Sequence, residues 1–410
     1  MFRRTLLWLA LGWSAALGLV RTLEALAPAG QWDFESYYYA ARVQARGGDA
    51  YDRAELVREA GHPVFPFVYP HHTMVFFSTF ARWDVAEAKA VYFTAKVGCA
   101  AALCTLWLVV FVPRPGRLWF LAFVMLGYNA ALLRDLVTGN VVTFEQLLLW
   151  LGIAALVSGR SGWFCAAVVA SAQFKIMGIL LLVLAFVRGR SSGWRAVSIG
   201  GACTVALGIG VYLSHPELAR QFSQTSEALW AQERGGEKNA SSRVLIWDIV
   251  DAVAANVDAL DGVDRRTLGL PIYAGHCLAV VLLTWRTLRR VQDGRIRVYL
   301  MILAYALIVP RMRDYSYVLL LVPTFELLRL NLARWRDVPL GLAVLPLVLT
   351  LPDAGVVWPY RNFVLAWITW AVSLSLGGVA GGAAGESNVC GANESSTTAG
   401  AATSSASKFA

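Results

Sequence analysis

Asp33 is followed by Phe34, Tyr37 and Tyr38 and then by a Gly47-Gly48-Asp49 turn, directly behind the first apolar run of the chain. A carboxylate at the outer surface of a membrane can take the proton of an acceptor hydroxyl. Tyrosines at helical spacing beside it offer ring faces and hydroxyls that suit a sugar. The plainer reading of Asp33 is a helix N-cap, accepting from free backbone N–H groups. The two readings are compatible.

Four further groups carry candidate chemistry. Tyr69-Pro70-His71-His72 places adjacent histidines where an apolar stretch begins. They fit phosphate binding, a proton shuttle or a metal. Neighbouring side chains diverge on a helix, so the pair alone does not hold one ion. A polar interfacial cap started by proline accounts for them equally. Lys175 lies deep in an apolar run, where an ionisable group is expensive to bury and points to function. Its two candidate partners are a lipid phosphate and Glu145 of the preceding run. Arg311 and Arg313 stand in the turn Pro310–Asp314. Their guanidinium forks match phosphate oxygens, although Asp314 can also neutralise the turn from within. Arg134-Asp135 and Gly139-Asn140 close the series as its weakest members. The chain has no Gly-rich phosphate loop, Cys/His zinc pattern or Gly-x-Ser-x-Gly elbow, which disfavours chemistry driven by a protein-bound nucleotide. No cofactor is expected. Asp258, Asp261 and Asp264 lie close together but leave metal dependence open.

The elements that must position these residues are membrane helices. Of 410 residues, 57% are hydrophobic and 15% charged, well below the charge of about 25% in soluble domains. The net charge of +9 comes from arginines in short loops beside apolar runs, which is positive-inside topology rather than a nucleic-acid surface. Five of six cysteines fall in apolar segments and read as small packers. The N-terminal run, preceded by Arg3 and Arg4, reads as an uncleaved signal-anchor.

Hydropathy predicts an all-α polytopic protein of about 10–12 spans. The fullest count is twelve: Thr5–Val20, Tyr69–Ala81, Ala86–Val112, Leu118–Leu133, Val141–Val157, Trp163–Val187, Arg195–Leu213, Pro271–Leu288, Val298–Val309, Tyr315–Leu328, Val338–Leu351 and Phe363–Leu376. Both termini are then cytoplasmic, with Arg114, Arg117 and Arg160 outside as exceptions and Arg134–Asn140 inside. Two large external loops, about 27–67 and 214–270, are acidic by two and three charges. In the first, Glu35–Arg46 reads as an amphipathic helix lying at the interface. Residues 1–377 form one domain, and 378–410 is a Gly/Ala/Ser-rich tail with no apolar period, expected to be disordered. Asn239 and Asn393 begin glycosylation sequons, a weak three-residue pattern.

The run Asp33-Phe34-x-x-Tyr37-Tyr38-x-Ala40-Ala41, followed by Gly47-Gly48-Asp49-Ala50-Tyr51, resembles the first external loop of glycosyltransferase family 87. Tyr69-Pro70, the lysine in a Gly/Ala-rich span and the Pro-Arg/Asp-Tyr hairpin are similar in order and spacing, and the resemblance covers roughly residues 5–330. It implies a GT-C-type helical bundle and a glycosyltransferase of a bacterial cytoplasmic membrane, with its active site facing outside. It implies a polyprenyl-phosphate sugar donor, mannose first among hexoses, and a lipid-linked or glycan acceptor. The family's acidic base maps onto Asp33, with Tyr37, Tyr38, Tyr69 and Asp314 toward sugar or acceptor. Two departures stand out: the family's Tyr-Pro-Pro is here Tyr69-Pro70-His71-His72, and its histidine-aromatic turn is Arg313-Asp314-Tyr315. Donor-phosphate contacts then fall to Lys175, Arg311, Arg313, His71 and His72. A transporter or lipid-linked sugar flippase is the rival class, since it too would place charges within the membrane.

Overall fold

The computed structural model describes residues 2–27, 29–232, 235–236, 239–256, 265–332 and 358–378. Among these, every regular element is helical. Five helices are long and apolar enough to cross a membrane: Thr5–Leu26, Val85–Phe111, Arg114–Thr138, Arg190–Ser214 and Thr267–Leu288. Three shorter apolar helices, Val142–Val157, Ser161–Ala172 and Ile176–Arg188, stand beside them. The expected span Val338–Leu351, the aspartates 258, 261 and 264, the Asn393 sequon and the tail beyond 378 lie outside the described residues.

In chain order the helices are α1 (Phe2–Leu26), α2 (Trp32–Ala45), α3 (Arg53–Ala60), α4 (Met74–Ser78), α5 (Val85–Leu106), α6 (Arg117–Thr138), α7 (Val142–Val157) and α8 (Ser161–Ala172). A 3-10 segment, Ile176–Arg188, separates α8 from α9 (Arg190–Ser214). Then come α10 (Pro216–Gln232), α11 (Ser242–Ala254), α12 (Arg265–Leu288), α13 (Gly294–Ile308), a 3-10 segment Asp314–Leu320, α14 (Leu321–Leu332) and α15 (Arg361–Ser373). Local chemistry sets several starts. Asp52, Asp84 and Asp293 each accept from the first free backbone N–H groups of α3, α5 and α13, as N-caps do.

Three expectations change here. Tyr69–Ala81 is an extended Tyr-Pro step, a 3-10 turn and the five-residue α4, too short to cross about 30 Å of hydrocarbon. Trp163–Val187 is two antiparallel arms rather than one span. Ser192 Oγ donates to Ser161 Oγ at 3.0 Å, and Gly159 lies against the Arg188 guanidinium, so the second arm returns to where the first began. Lys175, in extended backbone, sits at the apex. The predicted interfacial helix is α2, and it is enclosed: Phe34, Tyr37, Tyr38, Tyr39, Ala40, Ala41 and Val43 are all buried. Its two faces are taken up by Phe67, Phe77, Phe80 and Tyr92 in an aromatic core of its own.

With one span removed and one doubled, the charges sort by end. Gly116 lies against Phe325 and Arg329, and Gly294 against Val187. Arg114, Arg117, Arg160, Arg188, Arg190, Arg295 and Arg329 therefore share one end of the bundle. Arg134–Asn140, Lys175 and Pro310–Asp314 share the opposite end with Asp33, as the contacts below establish. The placement of Arg134–Asn140 away from Asp33 is thereby corrected.

α6 is not one helix. Gly127 is extended, and Tyr128, Asn129 and Ala130 have φ of 53°, 57° and 55°. The Tyr128 ring stacks on Tyr317 at 5.2 Å and its hydroxyl bonds Thr324.

Candidate functional site

α2 starts one residue before Asp33. Gln31, in the left-handed region at φ 56°, is the N-cap position and makes no side-chain cap bond. Asp33 is thus the second helical residue and not a cap. Its carboxylate is well placed for the positive end of the helix, but Oδ2 accepts from the side chain of Asn140, whose Nδ2 lies 2.8 Å away. Oδ1 accepts from no donor among the described residues.

Asn140 reaches this position because α6 ends at Gly139 in left-handed backbone, φ 71°. A Cβ there would lie 2.9–3.0 Å from Gln31 and Phe34, so glycine alone lets the α6–α7 turn close onto the start of α2. Beneath the turn, Lys96 of α5 and Asp135 of α6 form an ion pair of 2.8 Å with both side chains wholly buried. Lys96 also donates to the backbone carbonyls of Asp135 and Asn140, and Asp135 accepts from the Thr143 hydroxyl and amide. The knot sits in an apolar surround, with Asp135 Oδ2 taking the Lys96 and Thr143 bonds and Oδ1 buried without a hydrogen-bond partner among the described residues.

Above it opens a cavity of about 1900 Å³. Its wall includes Asp33, Tyr37, Tyr69, His71, His72, Lys175, Arg311, Arg313 and Asp314, together with Asn140, Glu145 and Trp32. Nine of the ten predicted site residues therefore converge. Tyr38 does not. One residue on from Tyr37, it points about 100° around the helix, and its hydroxyl donates to the Trp83 carbonyl at 2.8 Å and accepts from Arg42. The sugar contact expected of it is therefore not offered at this wall.

Lys175 donates to Asn140 Oδ1 at 3.3 Å, lies 3.4 Å from Glu145 and stands 5.1 Å above the Tyr315 ring. Arg313 donates to the Tyr315 hydroxyl at 3.0 Å. Asp314 is engaged on both oxygens, by Arg134 and by Asn362. Tyr37 and Tyr69 touch the cavity but spend their hydroxyls on each other and on Asn140, at 3.1–3.3 Å. Trp32, 37% exposed at the same wall, is more open than either.

Asp33 faces the cavity yet has little bulk solvent about it. Burial raises its proton affinity; the Asn140 hydrogen bond and the charges of Arg313, Lys96 and Lys175 oppose that rise. His71 packs edge-on against His215 at 4.9 Å, and His72 Nε2 donates to the Gln173 carbonyl at 3.1 Å. Burial lowers the proton affinity of both, aided at His71 by the two neighbouring imidazoles and offset at His72 by the Gln173 carbonyl. Neutral histidines offer a phosphate a hydrogen bond rather than a charge. Among the described residues, no group of three or more His, Cys, Asp or Glu side chains is arranged to hold a metal.

Sequence reasoning overlooked the Lys96–Asp135 knot. The signal was present, because Lys96 is an ionisable residue in the middle of an apolar run, as Lys175 is. The chain matches no family model, no curated protein and no solved structure.

Proposed function

We propose that this protein is a GT-C-type membrane glycosyltransferase. It moves a hexose, mannose first, from a polyprenyl-phosphate donor to a lipid or glycan acceptor at the outer face of a bacterial cytoplasmic membrane. The observation that carries the proposal is the meeting of the Asp33 carboxylate and the Lys175 ammonium on one amide, Asn140, at the wall of one cavity.

The acceptor hydroxyl gives its proton to Asp33, and its oxygen forms the new bond to the anomeric carbon. The bond from that carbon to the phosphate oxygen breaks, and the electron pair leaves on the polyprenyl phosphate. Lys175, with Arg311 and Arg313 on the same wall, meets the charge that develops there. A lipid phosphate matched in this way is a competent leaving group, so no nucleotide is needed at the site.

The orientation draws on the arginines gathered at the far end of the bundle, which positive-inside topology assigns to the cytoplasm. A transporter would need walls from both ends. The cavity wall takes nothing from the arginine-bearing turns at 114–117, 160, 188–195 or 289–297, which favours the enzyme.

The test is transfer from polyprenyl-phosphate-mannose by the full chain in vesicles. Asp33→Asn is expected to lower the rate by roughly 10²–10⁴-fold, the usual worth of a positioned base. Undiminished transfer by this variant would remove Asp33 from the mechanism.

A further inference from the structure

The amide of Asn140 is engaged at both ends. Nδ2 donates to Asp33 Oδ2 at 2.8 Å and to the Tyr37 hydroxyl at 3.1 Å. Oδ1 accepts from Lys175 Nζ and from the Tyr69 hydroxyl, each at 3.3 Å. Turned over, the amide would set its carbonyl oxygen against a carboxylate and its NH₂ against an ammonium, so a single orientation survives. The backbone beneath is held separately, by the Lys96 ammonium on the Asn140 carbonyl. The side chain is therefore free of any duty in closing the turn.

We propose that Asn140 is a positioning residue that links Lys175 to Asp33 through this locked amide: a phosphate that draws the ammonium away loosens the amide's grip on the carboxylate and readies the base. The direction follows from polarisation. A cation on Oδ1 pulls electron density through the amide and makes its N–H the stronger donor, as in any chain of hydrogen bonds at low dielectric. Asp33 then holds its negative charge more comfortably and takes protons less eagerly. Once a phosphate competes for Lys175, the N–H weakens and Asp33 gains basicity while the leaving group is in place. Asn140 engages Oδ2 alone, so Oδ1 keeps its lone pairs for the incoming proton. In keeping with this, the Asn140 bond is the largest influence opposing the effect of burial on Asp33.

The assay labels the full chain in micelles with an apolar carbodiimide, which captures protonated carboxyls. Peptide mass spectrometry then gives the pH midpoint at Asp33, with Asp33→Asn as the blank. Lys175→Met is expected to raise that midpoint by about one unit, a tenfold gain in proton affinity. In an Asn140→Ala background the rise is expected to fall to less than about half of that, a coupling of the kind double-mutant cycles read. Equal shifts in the two backgrounds, within about 0.3 unit, would overturn the linkage and leave Asn140 a spacer. If Asn140→Ala loses its monodisperse elution, Asn140→Ser takes its place under the same criterion. It keeps a donor for Asp33 and lacks the carbonyl that Lys175 needs.

Adding polyprenyl phosphate to the micelles is expected to raise the midpoint in the parent chain and not in Asn140→Ala. This last arm rests on the transferase reading, whereas the Lys175 arm needs no donor. A coupled cycle with no response to lipid phosphate would therefore overturn phosphate gating and count against the transferase, while the linkage itself would stand.

Discussion

Two lysine–carboxylate pairs meet the same asparagine from opposite sides, and they differ in almost everything but residue type. Lys96–Asp135 is sealed: 2.8 Å apart, both side chains at 0% exposure, with further backbone partners on Lys96 and a hydroxyl partner on Asp135 Oδ2. Lys175–Glu145 is slack: 3.4 Å apart, with the lysine 27% exposed and facing the cavity. One grips the Asn140 backbone and the other its side chain. An ion pair shut away from the cavity can only hold structure. A longer pair with an accessible cation has something left to give a ligand.

The sharpest way to break that contrast is Lys96→Met. It leaves Asp135 charged in a dry site, and losing one partner of such a pair costs about 3–5 kcal/mol. Thermal unfolding in detergent should fall accordingly, with recovery when Asp135 is also made apolar. A variant as stable as the parent would show that the sealed pair is not structural. Lys175→Met should do the reverse. Transfer drops by roughly 10²–10³-fold, as for loss of one charge-stabilising donor, while stability changes by about 1 kcal/mol or less, as for a partly exposed pair. Comparable losses of stability at the two lysines would erase the distinction. The mildest probe is pH. Asp33 accepts a proton only when ionised, and its burial holds its proton affinity above the ordinary value near 3.8. As pH falls, the transfer rate should therefore decline while an exposed aspartate is still ionised, by about tenfold per unit below the midpoint. A profile flat to about pH 4 would take the base role from Asp33.

The helical class was legible because apolar runs and loop arginines leave little alternative. Most wall residues were legible for a related reason: a charged or paired polar residue beside the membrane has few bland explanations. What hydropathy could not supply was direction. The turn at Gln173–Lys175 has no glycine or proline to announce it, so a largely apolar stretch of twenty-five residues, 163–187, reads equally as one crossing or as a hairpin. Counting Tyr69–Ala81 as a crossing then inverted everything as far as Lys175 and sent Asn140 to the wrong side. The three arginines left outside by that count were the visible symptom. Tyr38 failed differently: two adjacent tyrosines look alike in a motif, and only the helix decides which faces the cavity.

The interrupted helix α6 has a consequence for how the chain is assembled. Three consecutive non-glycine residues in the left-handed region cost about 1–2 kcal/mol each, and the contacts that offset them, the Tyr317 ring and Thr324, lie nearly two hundred residues further along. During synthesis α6 is made well before those partners exist. Without them nothing offsets that cost, so α6 is expected to form first as a continuous helix and to bend when the segment carrying Tyr317 and Thr324 arrives. A ribosome-bound chain stopped short of residue 317 is accordingly expected to carry a straight α6, with its Asp33 and Asn140 yet to meet the turn bearing Arg311 and Arg313.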